Sequence, residues 1–164
     1  MLRYLITLQA PDRQGLVEQL AHAVSRHGGN WLDSEMRHID GVFAAMLVVE
    51  VPALKWDELV ENIECIEGLT LTHCKLSSHP APQYRCNFQF VAYDRPGLVL
   101  DISNKINKLG INIEQFSSQY DAAGHTGVPL FKASFGLGMA DKRQEDALRQ
   151  ALYELGDDVI LDKV

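Results

Sequence analysis

Pro11-Asp12-Arg13-Gln14-Gly15-Leu16-Val17 and Tyr93-Asp94-Arg95-Pro96-Gly97-Leu98-Val99 are two versions of one segment, 82 positions apart. Working outward, the same spacing pairs Leu20 with Ile102, Val24 with Ile106, Gly28 with Gly110 and Asn30 with Asn112. Further on, Gly41-Val42 matches Gly127-Val128 at a spacing of 86, which gives the second copy four extra residues around Ala122-Ala123-Gly124-His125. Leu69 and Leu71 then match Val159 and Leu161. Chance supplies a single short match. It does not supply a turn, a helical period, a Gly-x-Asn and a strand pattern in one order, so the chain reads as a duplicated unit.

Each copy carries the same succession of periods. Leu2, Tyr4, Ile6 and Leu8 alternate on one face of a strand, as do Phe88, Phe90 and Ala92. Leu16, Leu20, Val24 and His27 then recur at helical spacing, matched by Leu98, Ile102, Ile106 and Leu109. Pro96 suits a first helical position, where a missing N–H costs nothing, and Gly28 and Gly110 suit left-handed caps past the helix ends. Hairpins follow, about Asn30–Ile39 with Val42–Val51 and Asn112–Tyr120 with Val128–Leu137, turning at Asp40-Gly41 and within Gly124–Gly127. Second helices use Leu59, Ile63 and Ile66, and Leu148, Leu152 and Leu155; final strands hold Leu69-Thr70-Leu71 and Val159-Ile160-Leu161. The order βαββαβ is the ferredoxin-like unit. Right-handed crossovers put both helices on one face of a four-stranded antiparallel sheet of order 4-1-3-2. The expectation is an α+β chain with domains at 1–77 and 85–164 and a proline-stiffened linker at 78–84.

The 164 residues suffice for one or two small domains with their own cores. No apolar run approaches the length of a bilayer span. The opening residues alternate and run into Pro11-Asp12, as a strand does and a signal peptide does not. Cys65, Cys74 and Cys86 are odd in number and lack CxxC spacing, so they read as buried free thiols of a reducing cytoplasm. The formal net charge is −7 and no Lys/Arg run occurs, which argues against a protein that grips nucleic acid by its phosphates. His22, His27, His38, His73, His79 and His125 show no HxxH or HExxH spacing, so no metal and no cofactor is expected. Gly136-Leu137-Gly138 lacks the rest of a dinucleotide fingerprint, and no GxSxG elbow, P-loop or paired catalytic carboxylates are present. Trp31 and Trp56 are expected at domain edges, and Glu61, Glu64 and Glu67 on a solvated helix face.

A fold hosts many functions, so chemistry must choose among them. The first loop holds Asp12-Arg13-Gln14-Gly15 where a metal chaperone has CxxC. Ala44-Ala45-Met46-Leu47-Val48-Val49 lacks the aromatics of an RNA-recognition strand, and the phosphate-cradling loop of an acylphosphatase is missing. A first strand, Asp-Arg-x-Gly-Leu-Val opening helix one, and Gly-x-Asn opening strand two resemble the ACT domain, once in each half. Asp94-Arg95-Pro96-Gly97-Leu98 is the more typical copy; Gln14 replaces the usual proline in the other. A free-standing pair of this length is similar to the glycine cleavage system transcriptional repressor family, which acts by contacting a LysR-type activator.

That resemblance implies a small amino acid, glycine first, bound near the first loop and first helix, often where two domains meet. The implied sites are Asp12, Gly15, Leu16 and Asn30 in one copy and Asp94, Gly97, Leu98 and Asn112 in the other. A zwitterion needs an acceptor for its ammonium, which the aspartates offer, and donors for its carboxylate, which helix N-termini offer. Glycine allows close approach of a ligand to the backbone, and asparagine both donates and accepts. The same residues also suit turns and caps without any ligand, and duplication of a fold duplicates its turns. Two functions stay open: a repressor working through a DNA-binding activator, and a small-molecule-binding regulatory subunit of an amino-acid metabolic enzyme. A catalyst is disfavoured by the missing constellations. The pattern leaves open whether the chain forms a homo-oligomer.

Overall fold

The computed structural model describes residues 1–78, 81–82, 84–122 and 127–164. Linker positions 79, 80 and 83 and hairpin positions 123–126, with His79, Gly124 and His125 among them, lie outside the described residues. The chain divides into two compact units, Met1–His79 and Pro80–Val164. The first runs β1 (Leu2–Pro11), α1 (Leu16–Arg26), β2 (Asn30–Ile39), β3 (Val42–Val51), a 3₁₀ turn (Ala53–Lys55), α2 (Trp56–Glu64) and β4 (Thr70–Lys75). The second runs β5 (Tyr84–Tyr93), α3 (Leu98–Lys108), β6 (Asn112–Ala122), β7 (Pro129–Met139), α4 (Arg143–Tyr153) and β8 (Ile160–Lys163). The sheets are ordered β2-β3-β1-β4 and β6-β7-β5-β8, all antiparallel, which is the expected 4-1-3-2 order twice over. The chain is a repeated ferredoxin-like α+β fold.

Alternation decides which sheet face meets the helices. Ile6, Leu8, Leu47 and Val49 pack with Leu16, Leu20, Leu59 and Ile63 in one core; Phe88, Phe90, Phe135 and Leu137 pack with Leu98, Ile102, Leu148 and Leu152 in the other. Each large side chain so buried contributes roughly 1.5–3 kcal/mol. The helix stripes run as their spacing predicts except at their ends: Ile66 and Leu155 lie past α2 and α4, Leu109 is the C-cap of α3, and His27 is the half-buried C-cap of α1, its Nδ1 2.7 Å from the Ala23 carbonyl. Gly28 and Gly110 close α1 and α3 at φ of 67° and 66°. At the first hairpin Asp40 and Gly41 both have positive φ, 47° and 85°, as a two-residue primed turn requires.

Four expectations are corrected. Strand pairing sets Phe43 opposite Ala10 and Phe131 opposite Ala92, so the third strands lie 88 positions apart rather than 86, and the second copy gains six residues, not four. The Gly-Val match misleads because glycine in a hairpin answers to turn geometry, whereas register answers to the buried face. Pro96 is not the first helical residue: α3 starts at Leu98, because Gly97 sits left-handed at φ 85° and cannot continue a right-handed turn. Trp56 is not at a domain edge but 7% exposed, its ring stacked 3.5 Å from Tyr4. Of the three thiols only Cys86 is buried; Cys65 and Cys74 are exposed.

Candidate functional site

The first loops end β1 and β5 at the mouth of a helix. Gly15 and Gly97 are the helix N-caps, at φ 88° and 85°, with no side-chain cap bond. The aspartates therefore do not cap. Asp12 and Asp94 are exposed, and each is tied to its hairpin by its backbone N–H, which donates to the Gly41 carbonyl (2.8 Å) and to the Pro129 carbonyl (2.9 Å) respectively. A Cβ built on Gly15 or Gly97 meets nothing within 4 Å. Glycine is thus required here by φ rather than by crowding, and the space before the helix N-terminus is open. In the first copy His38 Nε2 lies 3.8 Å from Asp12 Oδ2 and accepts the Gly41 N–H at 3.0 Å.

The remaining implied residues are placed differently. Leu16 and Leu98 are both 2% exposed and belong to the cores, so their side chains cannot face a ligand, and the Leu98 N–H donates to the Arg95 carbonyl at 3.4 Å. Asn30 pairs with Glu50, which pairs with Arg3, at the far end of the sheet from Pro11. Eight strand residues, about 27 Å, separate that row from the Asp12 loop. Asn112 lies likewise in the row of Gly138 and Arg85, away from Asp94. Within one unit the structure brings together the aspartate, the glycine and the helix N-terminus, and leaves the asparagine apart.

Two features carry roles that the spacing of residues does not reveal. The arginine of each loop is a brace. Arg13 Nη1 donates to the Glu67 carbonyl at 2.7 Å, and Arg95 Nη2 to the Leu155 carbonyl at 2.6 Å, both in the turn after the second helix of the unit. Arg95 also reaches the Tyr93 carbonyl (3.4 Å) and Asp158 (3.5 Å), while Asp158 accepts the Tyr93 N–H at 2.7 Å. Its repetition beside Asp was the available signal. Arg95→Ala is expected to destabilise the second unit by about 1.5 kcal/mol and Arg13→Ala the first by under about 1 kcal/mol, the difference tracking the number of acceptors lost. Urea unfolding of both variants checks this, and equal losses would contradict it.

The second feature is a buried ionic cluster in the second unit. Glu145, 7% exposed, accepts from Lys163 Nζ at 2.7 Å, the Tyr84 hydroxyl at 3.0 Å and Cys86 Sγ at 3.4 Å, with Arg149 at 3.5 Å. The Lys163 hydrogen bond outweighs burial and holds the Glu145 carboxyl down at about 2. Glu145 in turn holds the Lys163 ammonium above the ordinary lysine value. The matching positions of the first unit are Tyr4, Trp56 and His73, an aromatic stack in which the Trp56 and His73 rings meet edge-on at 5.0 Å. The sequence signal was a carboxylate on the apolar stripe that also holds Leu148 and Leu152.

Residues 3–64 match the family model of the ACT domain. This stretch is similar to ACT domains. The second unit repeats the ACT topology strand for strand. Among solved structures, a protein of unknown function from Galdieria sulphuraria aligns over 99% of this chain and 96% of its own at 20% identity and a TM-score of 0.76. A protein named as a candidate glycine cleavage system transcriptional repressor aligns over 99% of this chain and 97% of its own at 14% identity and a TM-score of 0.67. Both likenesses show the tandem ACT fold. No curated protein matches the sequence. Among the described residues no group of three or more His, Cys, Asp or Glu could hold a metal ion, and no helix is long and apolar enough to cross a membrane.

Proposed function

We propose that this protein is an amino-acid-responsive transcriptional regulator, a cytoplasmic repressor of glycine cleavage genes that acts through a LysR-type DNA-binding activator and catalyses no reaction. The observation that carries the reading is the first loop, built twice: an exposed carboxylate beside a bare helix N-terminus, reached across a glycine with open space before it. That arrangement complements a zwitterion. Asp12 or Asp94 accepts the ammonium, and the first-turn N–H groups, at the positive end of the helix dipole, receive the carboxylate, except the Leu98 N–H, which donates to the Arg95 carbonyl. The smallest such ligand, glycine, suits a shallow open loop. The whole-length likeness to a candidate repressor of glycine cleavage supports a regulator over a catalyst.

Calorimetry of the full chain with glycine tests the reading. Millimolar or tighter binding is expected, lost when Asp12→Asn and Asp94→Asn are combined; no heat from the wild type at millimolar glycine would sink it. The acidic chain, net −7, has no means of displacing many counterions from DNA. Alone it should bind duplex DNA weakly and without sequence preference in mobility-shift titrations. It should shift operator DNA only when the activator is present. A nanomolar sequence-specific complex without a partner would refute the indirect mode.

A further inference from the structure

The helix-free face of the first sheet carries a depression of about 410 Å³. Two cross-strand rows form it. Glu35, Met46, Thr7 and Thr72 make one, and Arg37, Ala44, Gln9 and Thr70 the other. Met46 is 45% exposed and, with Ala44, gives an apolar floor. At its β2 edge stand Glu35 and Arg37, two residues apart on the same face, about 7 Å between Cα atoms. Both are exposed, and neither has an ion-pair partner among the described residues.

The matching depression of the second unit, about 330 Å³, has Ser117 and Gln119 where the first has Glu35 and Arg37, and Lys132, bound to Asp121 at 2.6 Å, and Ser134 where the first has Ala44 and Met46. Duplication has thus kept the hollow and changed its chemistry. One copy has an acid, a base and an apolar floor; the other has neutral polar side chains and a cation already paired.

We infer that the helix-free face of the first unit is a binding site for a zwitterionic amino acid with an apolar side chain. Glu35 accepts the ammonium, Arg37 takes the carboxylate through its planar fork, and the side chain lies over Met46 and Ala44 toward Thr7. Opposite charges a strand-pair repeat apart flank a zwitterion head, whereas a purely anionic or cationic ligand would meet one repulsive neighbour. The volume lies in the range of small-molecule sites. The site is separate from the first loops and stands independently of the function proposed for them.

The test is calorimetry of the full chain with L-leucine near neutral pH. Wild type is expected to bind it at millimolar concentration or better. Glu35→Gln and Arg37→Gln should each weaken binding about tenfold, as loss of a charge-assisted contact does at an accessible site. Isovalerate, which lacks the ammonium, should not bind. Thermal melts of both variants should match wild type, since both side chains are exposed. Asp12→Asn with Asp94→Asn should leave L-leucine binding intact while removing glycine binding, so the two sites fail separately. Unchanged L-leucine affinity in both Gln variants, or no binding by wild type, would overturn the inference. Sedimentation showing that wild type dimerises and the Gln variants do not, with no L-leucine bound, would overturn it in favour of a second copy of the chain on this face.

Discussion

Glu145→Ala is expected to cost the second unit about 2 kcal/mol, which for a domain of this size lowers the melting point by about 10 °C. The carboxylate gathers Lys163, Tyr84, Cys86 and Arg149, and so ties α4 to both β5 and β8. Removing one partner of a fully buried pair costs more, but the Lys163 and Arg149 side chains are 39% and 30% exposed and regain water. Because Trp31 and Trp56 both belong to the first unit, tryptophan fluorescence follows that unit alone while circular dichroism follows both. The variant should shift the dichroism transition and leave the fluorescence transition in place. Acid should act on wild type in the same sense, shifting the dichroism transition more than the fluorescence transition, since the first unit's lowered carboxylate, Glu58, sits in an exposed pair with Lys55. A carboxylate held at about 2 against its ordinary 4.5 stabilises fully above 4.5 and loses that contribution as pH falls toward 2. The second unit should therefore weaken between about pH 5 and pH 2, and Glu145→Ala should flatten that dependence. An unchanged acid profile in the variant would show that the cluster contributes nothing.

Gly97→Val is expected to cost about 2 kcal/mol, because a β-branched residue at φ 85° pays for its left-handed backbone even though its Cβ would meet nothing within 4 Å. Loss of glycine binding in that variant would therefore not separate ligand from fold. Gly97→Asn does separate them. Asparagine tolerates the left-handed region, so the loss should stay below about 1 kcal/mol, while its amide fills the space before the α3 N-terminus. Combined with Asp12→Asn to silence the first copy, it should weaken glycine binding at least tenfold. Wild-type affinity in the second loop of a folded Gly97→Asn chain would place the ligand elsewhere.

The candidate site was legible only in its local half. Asp-Arg-x-Gly-Leu-Val marks a strand-to-helix turn, and the positive φ at Gly15 and Gly97 follows from residue type. Asn30 and Asn112 are near it in the repeat and chemically apt, yet they stand apart from it in space. Helix α1 carries the chain back along the length of β1, so residues close in sequence end on opposite ends of the sheet. Arg13 and Arg95 were legible as residues but not as braces, since their acceptors lie 54 and 60 positions away in sequence.

By itself the sequence determined the duplication, the order of elements, the buried face of the first strand of each copy and the sheet order, because side-chain period and crossover handedness are local or nearly local constraints. Tertiary structure alone decided what the two copies do differently. Tyr4, Trp56 and His73 stack where Cys86, Glu145 and Lys163 form an ionic cluster, and Glu35 with Arg37 frames a hollow that Ser117 and Gln119 leave neutral. The members of the stack and of the cluster come from separate strands and helices, and the floor under Glu35 and Arg37 comes from strands other than theirs. Only folding brings them within hydrogen-bond or van der Waals distance, where their chemistry begins to act.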